Sequence, residues 1–112
     1  MPRFVVLRHE RKSAAHFDLM LEHEGALLTF SFREFPSPGA AGERLADHRL
    51  AYLDIEGDIG EGKGRVARVE SGSFDVIGID EDSLSVFLRG ERLRGNARLV
   101  RESKDTWRLQ GE

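Results

Sequence analysis

Two imidazoles and a carboxylate stand close together near the start of this chain: His9, His16 and Asp18. One residue separates His16 from Asp18, so on a β-strand their side chains leave the same face. Phe17, Leu19 and Leu21 alternate with them and point the other way, as a strand with one apolar and one polar face requires. Two nitrogen donors and one oxygen donor suit a divalent ion such as Mn²⁺, Zn²⁺ or Fe²⁺. Three protein ligands leave positions for water or a phosphate oxygen, as catalysis needs. The same residues are also what an ordinary solvated strand face carries, so the pattern alone leaves both readings open. The chain has no cysteine, which excludes disulfides and thiolate metal sites and confines any metal to His, Asp and Glu.

His48 and Tyr52, spaced by four, form a second pair that could act on a substrate, or simply be a loop histidine and a half-buried tyrosine. His23, between Glu22 and Glu24, reads as part of a solvated turn. Two other arrangements fail on chemistry. Gly57-Asp58-Ile59-Gly60-Glu61-Gly62-Lys63 matches the start of a P-loop pattern, yet Gly64 stands where Ser or Thr is needed. Its interior is acidic, and a strand pattern follows where a phosphate cradle requires a helix. Ser13, His16 and Asp18 do not make a hydrolase triad, since no oxyanion-hole arrangement accompanies them.

The elements that must hold these residues read as short strands. Residues 4–7 are apolar and β-prone, 16–21 alternate, and 26–32 return after a turn at 22–25, which predicts a hairpin. Residues 35–43 have loop composition, and 50–55, 66–69, 73–79, 84–88, 96–100 and 106–109 are further strand candidates. No sustained helical periodicity is present, apart from a turn near residues 11–15. Many short strands with regular turns predict an all-β sandwich or barrel.

The length of 112 residues fits one domain spanning residues 1–112, large enough for a core without covalent staples. No apolar run reaches the roughly 18–20 residues that cross a bilayer, and the start of the chain becomes charged too early for a signal peptide. The expectation is a soluble, cytoplasmic protein without membrane contact. Seventeen basic against 20 acidic residues give a net charge of −3, unlike a general nucleic-acid coating protein. The charge is uneven: Asp54, Glu56, Asp58 and Glu61 form an acidic stretch, whereas Arg89, Arg92, Arg94, Arg98 and Arg101 face a single Glu91. Arg92, Arg94 and Arg98 are the candidates for contact with a DNA backbone. On charge alone, a solvated strand with scattered arginines reads the same.

Taken together and in order, these segments carry a resemblance. Val5-Val6-Leu7-Arg8-His9, then His16-Phe17-Asp18-Leu19-Met20-Leu21-Glu22, resembles the opening of the 3′-phosphoesterase domain of bacterial ligase D. The similarity continues through Gly25-Ala26-Leu27-Leu28, Arg44-Leu45-Ala46, Asp47-His48-Arg49-Leu50-Ala51-Tyr52, Glu56-Gly57 and Glu61-Gly62. It closes with Leu88-Arg89-Gly90-Glu91-Arg92-Leu93-Arg94-Gly95, Leu99-Val100-Arg101 and Trp107. The resemblance implies a compact β-barrel of about eight short strands with its active site in a surface groove. It implies a metal-dependent enzyme of non-homologous end joining that removes a 3′-terminal ribonucleoside and a 3′-phosphate from DNA ends, beside separate ligase and polymerase machinery. By position it makes His9, His16 and Asp18 the ligands of a divalent ion, Mn²⁺ foremost. It gives His48 a role on the scissile phosphate, Tyr52 a hydrogen bond to it, and Arg44 a place in the phosphate pocket.

The departures define an alternative, a weakened member that binds DNA ends or another phosphate ligand without efficient turnover. Met20 stands where the family has arginine and offers phosphate neither charge nor hydrogen bond; such a loss typically costs roughly 10²–10³ in rate. The His9–His16 linker is one residue longer than usual, the Arg44–His48 segment is shorter, and Gly60 replaces a proline. Arg49 follows His48 where the family has proline, and is predicted to return positive charge to the pocket. An Arg49→Ala variant is therefore expected to bind inorganic phosphate more weakly in a calorimetric titration, and unchanged affinity would remove that role.

Overall fold

The structure is a computed structural model describing residues 1–60 and 62–111; Glu61, named above in the acidic stretch and in the Glu61-Gly62 match, and Glu112 lie outside the described residues. The strands among them are β1 (Arg3–Arg11), β2 (Ala14–His23), β3 (Ala26–Phe32), β4 (Ala41–His48), β5 (Gly57–Asp58), β6 (Arg65–Ile79), β7 (Ser83–Arg89), β8 (Arg94–Arg101) and β9 (Thr106–Gly111). One 3-10 turn, Leu50–Leu53, follows β4. The hydrogen-bonded order β1-β2-β3-β4-β9-β8-β7-β6 returns to β1 through antiparallel pairing of β1 with β6. Eight antiparallel strands thus close into the expected barrel, and β5 adds a short strand to the start of β6. No helix is long and apolar enough to cross a membrane among the described residues.

Alternation fills the interior. Phe4 and Val6 of β1, Leu19 and Leu21 of β2, and Leu28, Phe30 and Phe32 of β3 point inward. They meet Phe74, Leu84, Val86, Leu88, Leu99, Trp107 and Leu109 from the other side. Phe30 and Trp107 pack edge to face at 5.4 Å between ring centroids. Residues 4–7 form an unbroken apolar run because β1 is covered twice. Val5 and Leu7 face outward beneath a second cluster with Met20, Leu27 and Leu53, on which Tyr52 packs. Two-sided burial replaces alternation with continuous hydrophobicity.

Three sequence-based boundaries need correction. Residues 41–48, read as the end of a loop and its sequel, are strand β4; residues 50–53, read as strand, are the 3-10 turn. β4 hides its pattern because its inward side lacks an apolar stripe: a Cβ on Gly42 would stand 2.7 Å from the Phe32 ring. The stretches 66–69 and 73–79 are one strand, β6, whose early residues pair with β1 and whose later ones pair with β7.

The β7–β8 turn is tied to β6 by one carboxylate. Glu70, 6% exposed, accepts backbone N–H groups of Leu93 at 2.9 Å, Arg92 at 2.6 Å, Glu91 at 3.2 Å and Ser71 at 3.1 Å. Burial pushes its pKa up, but these N–H groups, led by Leu93 and Arg92, together hold it below the usual carboxylate value. A folded pKa below the unfolded one adds stability above the unfolded value of 4.5, and that stability is lost as pH falls through the folded pKa. Glu70→Gln is expected to cost on the order of 2 kcal/mol at pH 7. In thermal unfolding followed by circular dichroism, the gap to the native protein should narrow once the pH drops below the ordinary carboxylate range. Equal melting temperatures at pH 7 would show that the turn does not depend on the charge.

Candidate metal centre and the groove beside it

His9 and His16 face each other across the β1–β2 ladder, and Leu7 faces Asp18 one pair further along the same outer face. The parity that sends Phe17, Leu19 and Leu21 inward therefore sends both His16 and Asp18 outward. His9 Nδ1 lies 3.3 Å from His16 Nε2, and His16 Nε2 lies 3.2 Å from Asp18 Oδ2. The ligand atoms of the three residues fall within 4.8 Å of one another. On its other side, His9 Nε2 meets the Lys63 carbonyl at 2.7 Å, and since a carbonyl can only accept, Nε2 is the donor.

The donor set fits a divalent cation. Asp18 is 5% exposed and its Oδ1 has no hydrogen-bond partner among the described residues, although buried carboxylate oxygens are normally satisfied. With Nε2 of His9 protonated, neutral His9 turns an acceptor, Nδ1, toward His16 Nε2. Two imidazole nitrogens and a carboxylate with an unsatisfied oxygen are a donor set that a divalent cation satisfies.

Next to this group, along β2, comes Met20, 1% exposed in the outer apolar cluster under Leu53. Its position is used for packing, and the apolar patch continues to Tyr52, whose ring meets that of His48 edge to face at 5.2 Å. His48 pairs with Leu27 on this same outer face and donates Nδ1–H to the Ala46 carbonyl at 2.9 Å, which leaves Nε2 to hold or release a proton. On the other side a groove of about 330 Å³ opens from His16 across Ser31, Arg33, Glu43 and Thr106. Sequence reasoning did not single out these groove residues; extending the outward parity of Asp18 through its cross-strand neighbours Ser31 and Glu43 reaches two of them. The Lys63 carbonyl is a main-chain atom, invisible to any reading of residue types.

The remaining candidates sit apart from the triad. Arg44 pairs with Phe30, on the inward parity rather than that of Asp18. Its guanidinium lies over Phe30 and Trp107, 5.2 and 5.6 Å from the ring centroids, and 3.5 Å from the Asp47 carboxylate. Arg92 stacks on Phe35 with its guanidinium carbon 3.5 Å from the ring centroid. Arg94 and Arg98 are exposed on β8, which lies four strands from β2 in either direction round the barrel. The structure thus brings His9, His16 and Asp18 together, pairs His48 with Tyr52 on the same outer face, and leaves the β8 arginines on the far side.

Comparison with known proteins points to one family. The DNA Ligase D 3′-phosphoesterase domain family matches residues 7–101. The chain is 33% identical over 88% of its length to the multifunctional non-homologous end joining protein LigD of Pseudomonas aeruginosa. It is 30% identical over 93% of its length to the multifunctional non-homologous end joining DNA repair protein LigD of Mycobacterium tuberculosis. The chain spans only 13% and 15% of the length of these two relatives.

A buried carboxylate with one oxygen left unsatisfied is a burden until a cation arrives. In chelator, Asp18→Asn is expected to melt at or above the native temperature. With Mn²⁺ at about 100 times its dissociation constant, the native protein should gain about 2.7 kcal/mol and overtake the variant. Differential scanning calorimetry with and without the ion checks the crossover; a native melting point indifferent to every divalent ion would remove the metal centre.

Proposed function

Because the chain belongs to the 3′-phosphoesterase domain family of DNA ligase D, we propose that it is a divalent-metal-dependent phosphoesterase that trims DNA 3′ ends for repair by end joining. The observation that carries this reading is the unsatisfied Asp18 oxygen beside two imidazole nitrogens, on the outer face of a barrel of that family. His9, His16 and Asp18 would hold the ion, which supplies Lewis-acid polarisation of a phosphoryl oxygen when bound. Mn²⁺ is the ion expected; the N, N, O donor set accepts several divalent ions.

The chain's own residues do the rest. His48, oriented by its Nδ1–H bond to Ala46, delivers a proton from Nε2 to the leaving oxygen. Tyr52, held edge-on against His48, hydrogen-bonds a phosphate oxygen. Arg44, stacked on Phe30 and Trp107, adds positive charge near β4 and braces the segment leading to His48 through Asp47. The groove past Ser31 and Arg33 takes the nucleotides leading to the 3′ end. Arg94 and Arg98, across the barrel, would contact only DNA that wraps around it or a separate part of the repair machinery.

A second reading, a member that binds 3′ ends with little turnover, is favoured by Met20, which fills an apolar cluster where the family places an arginine. One assay separates the two. A primer–template with a 3′-phosphate or a single 3′-terminal ribonucleotide is incubated with protein and Mn²⁺. Trimming is expected, lost in Asp18→Ala and slowed about 10²–10⁴-fold in His48→Ala. End binding without trimming in the native protein would establish the second reading.

A further inference from the structure

The glycine-rich stretch that makes no phosphate cradle runs against the end of β1. It is a loop closed on itself: Ile59 N–H donates to the Gly64 carbonyl at 3.0 Å, Lys63 N–H to the Gly60 carbonyl at 2.9 Å, and Gly60 N–H to Asp58 Oδ1 at 2.7 Å. Gly64 has φ of +97°, and a Cβ there would overlap the Glu10 carbonyl oxygen and come within 3.1 Å of Arg11 Cα. Only glycine combines that conformation with so close an approach. The residue before it, Lys63, sets its carbonyl 2.7 Å from His9 Nε2. The proton on Nε2 leaves the lone pair of neutral His9 on Nδ1, the atom that faces His16.

We propose that Gly64 is a positioning residue for the ion site: its contact with β1 presses the Lys63 carbonyl onto His9, locks the Nε2-protonated tautomer and aims Nδ1 at the ion. This rests on the metal reading above. A ligating imidazole depends on the partner of its other nitrogen, and losing such a partner typically weakens metal binding about 10–100-fold. The loop therefore serves the triad through its main chain, which accounts for a glycine-rich stretch beside a strand that binds no phosphate.

The test compares the native protein with Gly64→Ala and with Gly60→Asn. Gly60 has φ of +81° and open space around a Cβ, and asparagine tolerates the left-handed region. Long-range ¹H–¹⁵N spectra of metal-free protein, above the ordinary histidine pKa of about 6.5, read the His9 tautomer, and calorimetry reads Mn²⁺ affinity. The expected result is a single Nε2-protonated His9 in the native protein and in Gly60→Asn, with equal affinities. Gly64→Ala, with its strand circular dichroism retained, should show mixed tautomers and a dissociation constant about 10–100-fold higher. An Nδ1-protonated His9 in the native protein overturns the proposal whether or not the variant folds. So does a native tautomer and affinity in Gly64→Ala, or equal weakening in Gly60→Asn. Absence of any ion binding by the native protein would instead sink the metal reading, while the tautomers still decide what Gly64 does to His9.

Discussion

Pairing of β1 with β6 closes the sheet, and the rest of the molecule depends on that seam. With hydrogen-bonded neighbours on both sides, β1 has one register available. A slip by one residue would exchange its faces, sending His9 and Leu7 toward the core and Arg8 outward in their place. Closure also leaves the barrel no long free edge to recruit another chain. The inside consumes one parity of every strand for packing, which frees the other to carry the polar groups of His9, His16 and Asp18 on β1 and β2. Part of the outer parity is buried a second time under Tyr52 and Leu53.

Two buried carboxylates show how differently the fold treats the same group. Glu70 is surrounded by main-chain donors, four N–H groups on one side chain. Its charge is spent on holding a turn in place, and nothing remains for a ligand. Asp18 is as deeply buried, touches one imidazole, and keeps an oxygen with no donor. Sequence shows neither the burial nor the hydrogen-bond partners of either, since both are single acidic residues within strands. Hydrogen-bond satisfaction separates the structural acid from the candidate ligand.

Much of the site was legible because it obeys strand parity. The alternation in residues 16–21 placed His16 and Asp18 together on the polar face, His9 and the His48–Tyr52 pair stood out by residue type and spacing, and the ordered match of many short segments gave them their expected roles. What stayed hidden has physical causes. β4 carries a glycine and a stacked arginine on its inner side, so its strand character lacks an apolar stripe. The arginines of residues 92–98 cluster in sequence, but Arg92 turns onto Phe35 and the others face away from β2. Linear charge density says nothing about which side of a closed barrel a strand will occupy. The glycine-rich loop was read by its side chains, whereas the atom it contributes belongs to the backbone.

His9 and the Lys63 carbonyl are 54 residues apart in the chain. During synthesis the hairpins of β1, β2 and β3 can form early from local contacts, whereas the loop beside β6 arrives only after the long connection is closed against its entropy. A half-made chain consequently owns His9, His16 and Asp18 without the carbonyl that orients His9. Completion of the topology therefore acts as a safety catch: the His9 ring gains its fixed orientation only once the whole barrel has closed.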